Sequence, residues 1–552
     1  MSIVGVLLRL ADVRPDLLEG PSSQSSCHPS PPQLPGVRAD PAPGSQVQLV
    51  LRQRQEGDDG LPVTGRHDPT VRLRTLDGLQ RQIVHDLPVA LDEVVPVAIA
   101  ESAAASLRDV SLTISVIGTG YLGVVHAACM AELGHTVIAV DTDAAKVESL
   151  SRGVAPMFEP GLDELLARVL PTGRLRFTTD YAQVCGADVH FICVGTPQRK
   201  GENAADTSYV FAAAESLAPH LGGKALVVGK STVPVGTAAQ LRDRLQQGAP
   251  EGVRVRLAWN PEFLREGFAI EDTVAPNRFV YGVDGPSADA DVALLDEVYS
   301  GPLALGTPRL VTDFPTAELV KVAANAFLAT KISFINAMAE VCEAAGADVV
   351  QLADAIGHDD RIGRKFLNAG VGFGGGCLPK DIRAFMARAA ELGADEALAF
   401  LREIDAINLS RRSKMVDLAR EQCGGTFVGK RVAVFGAAFK PDSDDIRDSP
   451  ALDVAQAARK EGAVVTVHDP KAMEAAKHVY PDLGYADTIE EACINADVVL
   501  HLTEWKQFRE IDPAKLAAIV ANPGIIDGRN GLDPTLWRKA GWAYRALGRP
   551  TI

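Results

Sequence analysis

One pattern occurs twice in this chain and leaves few folds open to it. A short apolar strand runs into a glycine turn, a helical stretch follows, and a second strand ends on an acid. Ser115–Gly118 followed by Val137-Ile-Ala-Val-Asp141 is the first copy; Arg431–Phe435, Gly436 and Val464-Val-Thr-Val-His-Asp469 are the second. Ala187-Asp-Val-His-Phe-Ile192 and Ala496-Asp-Val-Val-Leu-His501 extend the match. Apolar strands alternating with helices imply a parallel sheet covered on both faces. The chain is therefore read as α/β, with two Rossmann-like doubly wound domains. Strands are expected at Thr113–Ile117, Thr136–Val140, Val189–Val194, Ala225–Gly229 and Val253–Trp259.

Between the copies the periodicity becomes helical. Pro315 suits a first turn with Asp313 as its cap, and the helix is expected to run through Val341. Leu328, Ile332, Ile335, Ala339 and Cys342 recur at steps of four and three, a stripe that has to pack against something. Helical sequence continues to about Arg420, so a central helical domain separates the two α/β domains. The expected segments are 1–110, 111–312 (dinucleotide-binding), 313–425 (helical) and 426–552 (a second ligand).

Residues 1–110 read differently. Seven prolines lie between Pro21 and Pro43 among Ser, Gln and Gly, and RQRQEGDDG follows. Too little apolar surface is available there to offset the ordering entropy, so the extension is expected to be disordered apart from a short helix near Val94–Leu107. A start codon assigned too far upstream would give the same appearance, and the intact mass of the native protein decides between the two. The formal charge of −16 argues against a nucleic-acid partner. No apolar run is expected to reach the length of a membrane span. Eight cysteines and eleven histidines are dispersed without CxxC pairs or zinc spacing, so a reduced cytoplasmic protein without a metal is expected.

Gly118-Thr-Gly-Tyr-Leu-Gly123 follows a strand and opens a helix, the context in which GxGxxG carries meaning. Its glycines let the backbone meet a pyrophosphate at the helix N-terminus, and Asp141 stands where a carboxylate accepts the ribose hydroxyls, favouring NAD over its 2′-phosphorylated form. The second copy lacks this fingerprint. Its first turn, Gly436-Ala-Ala-Phe-Lys-Pro-Asp-Ser-Asp-Asp-Ile-Arg447, carries Lys440 and Arg447, which suit the phosphate of a different ligand or an ordinary solvated loop.

Polar residues gather where strands end. Thr232 follows one strand, and Glu262 and Glu266 follow another, so all three can face one crevice. Lys321 and Asn325 are four apart on the long helix and share a face. Gly370-Val-Gly-Phe-Gly-Gly-Gly-Cys-Leu-Pro-Lys-Asp381 places five glycines ahead of a thiol within twelve residues. Such a loop is either a tight turn or a thiol held open to a substrate. Cysteine with NAD suggests aldehyde oxidation through a thioester, with Lys321 and Asn325 at the oxyanion. Asp381, Lys321 and water are all candidates for the first proton acceptor.

GTGYLG, VGTP (Val194–Pro197), STVPVGT, NPEFLREG, KVAANAF, RIG, GFGGGCLPKD and FKPDSDDIRDSP resemble the UDP-glucose/GDP-mannose dehydrogenase family, in matching order from about residue 112 to the C-terminus. The resemblance implies oxidation of the C6 alcohol of UDP-glucose to UDP-glucuronate with two NAD. It implies Cys377 as nucleophile, Lys321 and Asn325 at the oxyanion, Asp381 with Thr232 and a water in proton transfer, and Glu262 as acid/base. For the cofactor it implies Gly118, Gly120, Tyr121, Leu122, Gly123, Asp141, Lys146, Thr196, Thr232 and Arg447. For the sugar nucleotide it implies Glu262, Phe263, Leu264, Glu266, Lys321, Asn325, Phe366, Leu367, Phe373, Gly374, Phe439, Lys440 and Arg529. Arg361 is expected to reach across a homodimer, or a higher oligomer, built on the central helices.

Gly376 stands where many family members have serine, Leu378 where some have phenylalanine, and Asn368 where some have a basic residue. These departures bear on the choice of sugar, and UDP-N-acetylmannosamine and GDP-mannose are the alternatives. A two-electron hydroxyacid dehydrogenase shares a Lys-x-x-x-Asn helix but needs neither the cysteine nor the second α/β domain. A non-catalytic binding protein would be expected to have lost one of Cys377, Lys321, Asn325 or Asp381.

Overall fold

Each copy of the repeated pattern closes into its own sheet. The computed structural model describes residues 111–550, apart from residue 224. The extension and its short helix, as read from residues 1–110, lie outside the described residues. The first sheet has eight strands in the order β3-β2-β1-β4-β5-β6-β7-β8. These are β1 Thr113–Ile117, β2 Thr136–Val140, β3 Leu175–Thr178, β4 Val189–Ile192, β5 Leu226–Gly229, β6 Arg256–Trp259, β7 Phe279–Val283 and β8 Arg309–Thr312. All pairs are parallel except β6 with β7. The second sheet is wholly parallel, in the order β11-β10-β9-β12-β13-β14. Its strands are β9 Arg431–Phe435, β10 Val464–His468, β11 Gly484–Tyr485, β12 Val498–His501, β13 Gly524–Asp527 and β14 Ala543–Ala546. Both sheets thus reverse strand order between their first and fourth strands, where a doubly wound sheet opens a crevice at its carboxyl edge.

The repeat extends to single hydrogen bonds. Asp188 accepts the amide of Thr113 and Asp497 accepts that of Arg431, each at 2.9 Å. Gly118 and Gly436 both turn through positive φ, 92° and 111°. Their amides donate to the last residue of the neighbouring strand, Val140 at 2.7 Å and His468 at 2.8 Å. A Cβ at Gly436 would stand 2.3 Å from the Thr503 hydroxyl oxygen, so the turn needs glycine for space as well as for φ.

The copies diverge at the aspartate that ends the second strand. Asp469 is buried and consumed by the amides of Ala437 and Ala438 and the indole of Trp505. Asp141 accepts the amides of Thr119 and Asp143, the Thr119 hydroxyl and Lys146, yet keeps some exposed surface. Only the first copy has a carboxylate left at its nucleotide crevice.

Some strands are shorter than the apolar runs suggested: β4 ends before Cys193–Val194, β5 begins after Ala225, and β6 begins after Val253–Val255. β7 and β8 extend the first sheet beyond the repeated pattern. Their polar flanks hid them, and three of the four β8 residues are exposed at the sheet edge.

Between the sheets runs α1 of the helical region, Phe314–Ala345, capped by Asp313 through the Thr316 amide at 2.8 Å with Pro315 in its first turn. It packs against α2 (Leu378–Glu391) and α3 (Phe400–Gln422). Ile335, Ala339 and Cys342 bury against Val349, Ala353 and Leu367, while Ala326 and Ala329 bury against Phe373, Ile382 and Leu401. The expectation that no segment is apolar and long enough for a membrane meets one exception. α1 passes that test by length and composition because it is rich in alanine, yet 44% of its most apolar stretch is buried inside the protein. Phe327, Phe334 and Val341, spaced seven apart, are left exposed on its surface.

Candidate active site

The nucleotide crevice of the first sheet forms at the turn between β1 and the helix Tyr121–Glu132. A Cβ at Gly118 would meet the Val194 side chain at 2.7 Å, and one at Gly123 would run into the Gly118 carbonyl at 1.8 Å. At Gly120 a Cβ would meet nothing within 4 Å, so open space lies directly over the helix start. That helix has no side-chain cap and no acid in its first turn, which leaves its amides for an anion. Burial pushes the Asp141 carboxyl up. The amides of Asp143 and Thr119, the Thr119 hydroxyl and Lys146 outweigh it and hold the group below its ordinary value. Lys146 sits 3.1 Å from Asp141. The residues present fit a dinucleotide whose ribose meets Asp141.

Tyr121 does not offer its hydroxyl to that space. It donates to the buried Glu159, which also accepts the amides of Gly267 and Ala269 at 2.6 Å. Leu122 packs on the sheet core. Thr196 donates to the Thr232 carbonyl at 2.7 Å, tying two strand ends together.

Cys377 is the N-cap residue of α2 and its thiol is exposed. Pro379 follows in the first turn, and the Asp381 amide returns to the Cys377 carbonyl at 2.9 Å, so the helix start sets thiol and carboxylate on one side. Asp381 is buried and accepts from Asn325 at 2.7 Å and Lys380 at 2.5 Å. Lys321, one turn before Asn325 on α1, pairs with Glu262 at 2.9 Å, and the other Glu262 oxygen accepts the Leu264 amide at 2.6 Å. Burial works against the Lys321 charge, but Glu262 and then Cys377 and Asp381 hold its pKa above the ordinary value. Most of the Cys377 side chain is ringed by protein even though part of it reaches solvent. That surrounding, with Asp381 and Glu262, pushes the thiol up to about 12 against the opposing pull of Lys321. A thiolate at this place therefore depends on its cation. Thr232 shares with Asp381 and Lys380 a cavity of about 20 Å³, room for a single water on the usual measure.

The glycine run has a further reason beyond openness. A Cβ at Gly374 would stand 2.2 Å from the Asp448 carbonyl, at Gly375 2.8 Å from the Phe439 ring, and at Gly376 2.3 Å from the Arg447 guanidinium. These glycines let the loop lie directly on the turn after β9. The Gly375 amide donates to the Arg447 carbonyl at 2.8 Å.

Several expected ligand contacts are engaged elsewhere. Arg529 is partly buried and donates to the carbonyls of Leu502, Gly372 and Phe439 at 2.8, 2.8 and 3.1 Å, bolting the second sheet to the loop. Leu367 and Phe373 bury their side chains in the helical core, so their side chains are not pocket lining. Phe366 is half-exposed and adopts a positive φ of 66°, a conformation that costs a non-glycine residue of order 1–3 kcal/mol. Arg361 stands in solvent on Asp359, at 2.6 Å, away from the thiol cluster.

Phe263 lies beside Lys321 and under Arg278. Glu266 is set at the seam between the two sheets rather than beside Glu262. It accepts from Ser443 at 2.9 Å and lies 3.4 Å from Arg447, while Lys440 donates to its carbonyl. Burial first, then Asp445, pushes the Glu266 carboxyl up to about 7. Leu264 packs against the first sheet's core.

Three positioning residues gave no signal in the sequence. Asn408 on α3 is buried and pairs with both backbone groups of Phe373, at 2.7 and 3.0 Å, as a strand neighbour would. Asn336 accepts the Gly370 amide at 2.8 Å, and Arg412 spans Asp448 and the Phe373 carbonyl. Among the described residues no group of three His, Cys, Asp or Glu is arranged for a metal.

Comparison with known proteins follows these three parts. Residues 112–301 match the NAD binding domain of the UDP-glucose/GDP-mannose dehydrogenase family, 315–410 its central domain and 433–534 its UDP binding domain. A UDP-glucose 6-dehydrogenase of Rhizobium meliloti is 44% identical over 80% of this chain and all of its own length. A solved UDP-glucose dehydrogenase from Pyrobaculum islandicum is 37% identical and superposes with a TM-score of 0.73, covering 80% of this chain and 98% of that one. A UDP-D-ManNAc dehydrogenase from Pyrococcus horikoshii is 27% identical, with a TM-score of 0.70 over 80% of this chain and all of that one.

Proposed function

The chain belongs to the UDP-glucose/GDP-mannose dehydrogenase family and is an NAD-dependent oxidoreductase, and on that premise we propose that it carries UDP-glucose through four-electron oxidation at C6 to UDP-glucuronate. The observation that carries this reading is an exposed thiol at the start of α2, with Lys321–Glu262 and Asn325–Asp381 grouped around it. A two-electron dehydrogenase has no use for that thiol.

NAD, when bound, takes up a hydride at each of the two oxidations. Residues 111–312 would hold it, 426–552 would hold the UDP end of the substrate, and the helical 313–425 would carry the reacting groups between them. In the first oxidation the C6 hydroxyl gives up its proton and C6 becomes an aldehyde. Cys377 Sγ then bonds to C6, and the carbonyl oxygen becomes an oxyanion beside Lys321 Nζ and the second amide hydrogen of Asn325. Loss of the second hydride leaves a thioester. Water attacks it, giving up a proton to Glu262 or Asp381, and the C–S bond breaks to return the thiol and release the carboxylate. One water is consumed, two hydrides leave, and three protons are released for each sugar oxidised.

Asp141→Ala is expected to raise the KM for NAD roughly tenfold or more with kcat little changed, since the ribose contact belongs to binding. Initial rates at varied NAD check this. An unchanged KM would move the ribose elsewhere.

The stripe Phe327, Phe334 and Val341 supports a homodimer in which a second copy covers it, and the exposed Arg361 is free to contact that copy. Phe334→Glu is expected to shift the molar mass in light scattering from dimer to monomer. A wild-type monomer at micromolar concentration overturns this. Dispersed free thiols and dependence on NAD fit a cytoplasmic enzyme.

The Pyrococcus horikoshii relative's sugar is the competing substrate. Assays with UDP-glucose, UDP-N-acetylmannosamine and GDP-mannose side by side decide, and UDP-glucose is expected to give the highest kcat/KM.

A further inference from the structure

Lys230, the first residue after β5, has no part in the chemistry above, yet it is almost completely buried at the carboxyl edge of the first sheet. Its Nζ donates to Asn260 Oδ1 at 2.9 Å and to the Tyr299 hydroxyl at 3.3 Å, and lies 5.7–5.8 Å from the centres of the Phe191 and Tyr299 rings. No carboxylate stands within ion-pair distance of it among the described residues. A buried cation without a counterion is costly, and a methionine would fill the space without that penalty. The charge therefore needs a reason.

Asn260 supplies the link. It opens Asn260-Pro-Glu262, and each of its side-chain groups is used. Its Oδ1 accepts from Lys230 and from Tyr299 at 2.8 Å, and its Nδ2 donates to the Val280 carbonyl at 3.0 Å. Two residues on, Glu262 meets Lys321 at 2.9 Å. Lys230, Asn260 and Glu262 also line one cavity of about 40 Å³, together with Tyr299 and His126, whose buried Nε2 has no protein partner. A space of this size has room for water, and these few polar groups can bond it. Glu262 thus has one lysine in front of it and another behind.

We propose that Lys230 is a positioning residue for the oxidation: its buried charge draws on the Glu262 carboxylate from behind and leaves Lys321 freer to meet the oxyanion. This rests on the reading of Lys321 and Glu262 given above. A Glu262–Lys321 pair in isolation would neutralise the cation that the oxyanion needs. The groups facing Lys230 are Glu262 beyond Asn260, Cys193 on the β4 side, His126 above Phe191, and the Tyr299 hydroxyl. Of the other charged residues around the cavity, Asp272 is held by Arg265 at 2.7 Å and Arg278 lies over the Phe263 ring. Burial pushes the Lys230 amine down to about 8. Its charge is therefore present below that pH and lost above it, while the neutral amine still donates to Asn260.

The test compares K230M and K230Q, which drop the charge, with Y299F, which drops a donor to Asn260 and keeps the charge. Steady-state kcat and KM for UDP-glucose are measured from pH 7 to pH 10. At pH 7 both lysine variants are expected to lose roughly tenfold in kcat with KM within about twofold, the scale of losing one unit charge in a protein interior. The ratio of wild-type to variant kcat is expected to shrink as pH rises through about 8. Y299F is expected to stay within about threefold of wild type at every pH, the loss of a single neutral hydrogen bond. K230Q keeps a donor for Asn260, so it carries the test if K230M does not fold. A folded lysine variant with wild-type kcat, or a ratio that is constant with pH, overturns the inference and leaves the UDP-glucose reading standing. A wild-type protein that oxidises no nucleotide sugar overturns that reading, and the inference with it.

Discussion

Cys377→Ala is expected to abolish formation of the sugar carboxylate, with a loss of at least about a thousandfold, the scale seen when a covalent nucleophile is removed. The argument is chemical. Without Sγ no thioester forms, and the aldehyde would have to be oxidised as its hydrate, which nothing at the site is arranged to hold. The first hydride needs only the base and the bound cofactor. The variant should therefore still reduce some NAD and release or retain aldehyde, trapped by hydroxylamine and read by mass. Folding should survive, because Cys377 is exposed and its side chain caps no helix amide. Full turnover to carboxylate by this variant would return the glycine loop to a purely structural role.

Lys321→Ala is the second large effect. Loss of one oxyanion donor raises the barrier by about 2.7–4 kcal/mol, a factor of roughly one hundred to one thousand in kcat. Two further consequences follow here. The Glu262 carboxylate, little exposed and 2.9 Å from Nζ, loses its partner. The Cys377 thiol, already pushed up to about 12, loses the cation that opposes the shift. The variant should therefore also be alkylated more slowly by iodoacetamide at a given pH, and this readout needs neither substrate nor cofactor. Lys321→Arg is not expected to restore activity, since the broader guanidinium cannot take the place of a point charge between Glu262 and the thiol. Alkylation at the wild-type rate in Lys321→Ala would remove Lys321 from the thiol's electrostatics.

The parts of the site legible in the sequence are those written in short spacings. Gly118, Gly120 and Gly123 with Asp141 form a strand-turn-helix signature whose every residue has a local reason. Lys321 and Asn325 lie one helical turn apart, and Cys377 and Asp381 span the first turn of another helix. The twofold repeat likewise announced both sheets, because Asp188 and Asp497, or Gly118 and Gly436, do the same work in each.

What escaped the sequence is held together across long separations. Asn408 bonds Phe373 from thirty-five residues away, and Arg529 bonds Gly372 across 157. No periodicity records such contacts. The family resemblance points Arg529, Leu367 and Phe373 at the ligand, whereas the structure engages the arginine with carbonyls and the other two in packing. The glycine run serves close approach: Gly374, Gly375 and Gly376 each make room for one group of the turn after β9, while Gly370 and Gly372 make room for Gly528 and Asn408.

The central claim is the four-electron path through Cys377, and the yield of NADH per UDP-glucose tests it most directly. With NAD in excess and the reaction run to completion, the account predicts two NADH for every UDP-glucose consumed and a product of UDP-glucuronate by mass. One NADH per sugar, with an aldehyde or ketone as the product, would contradict it.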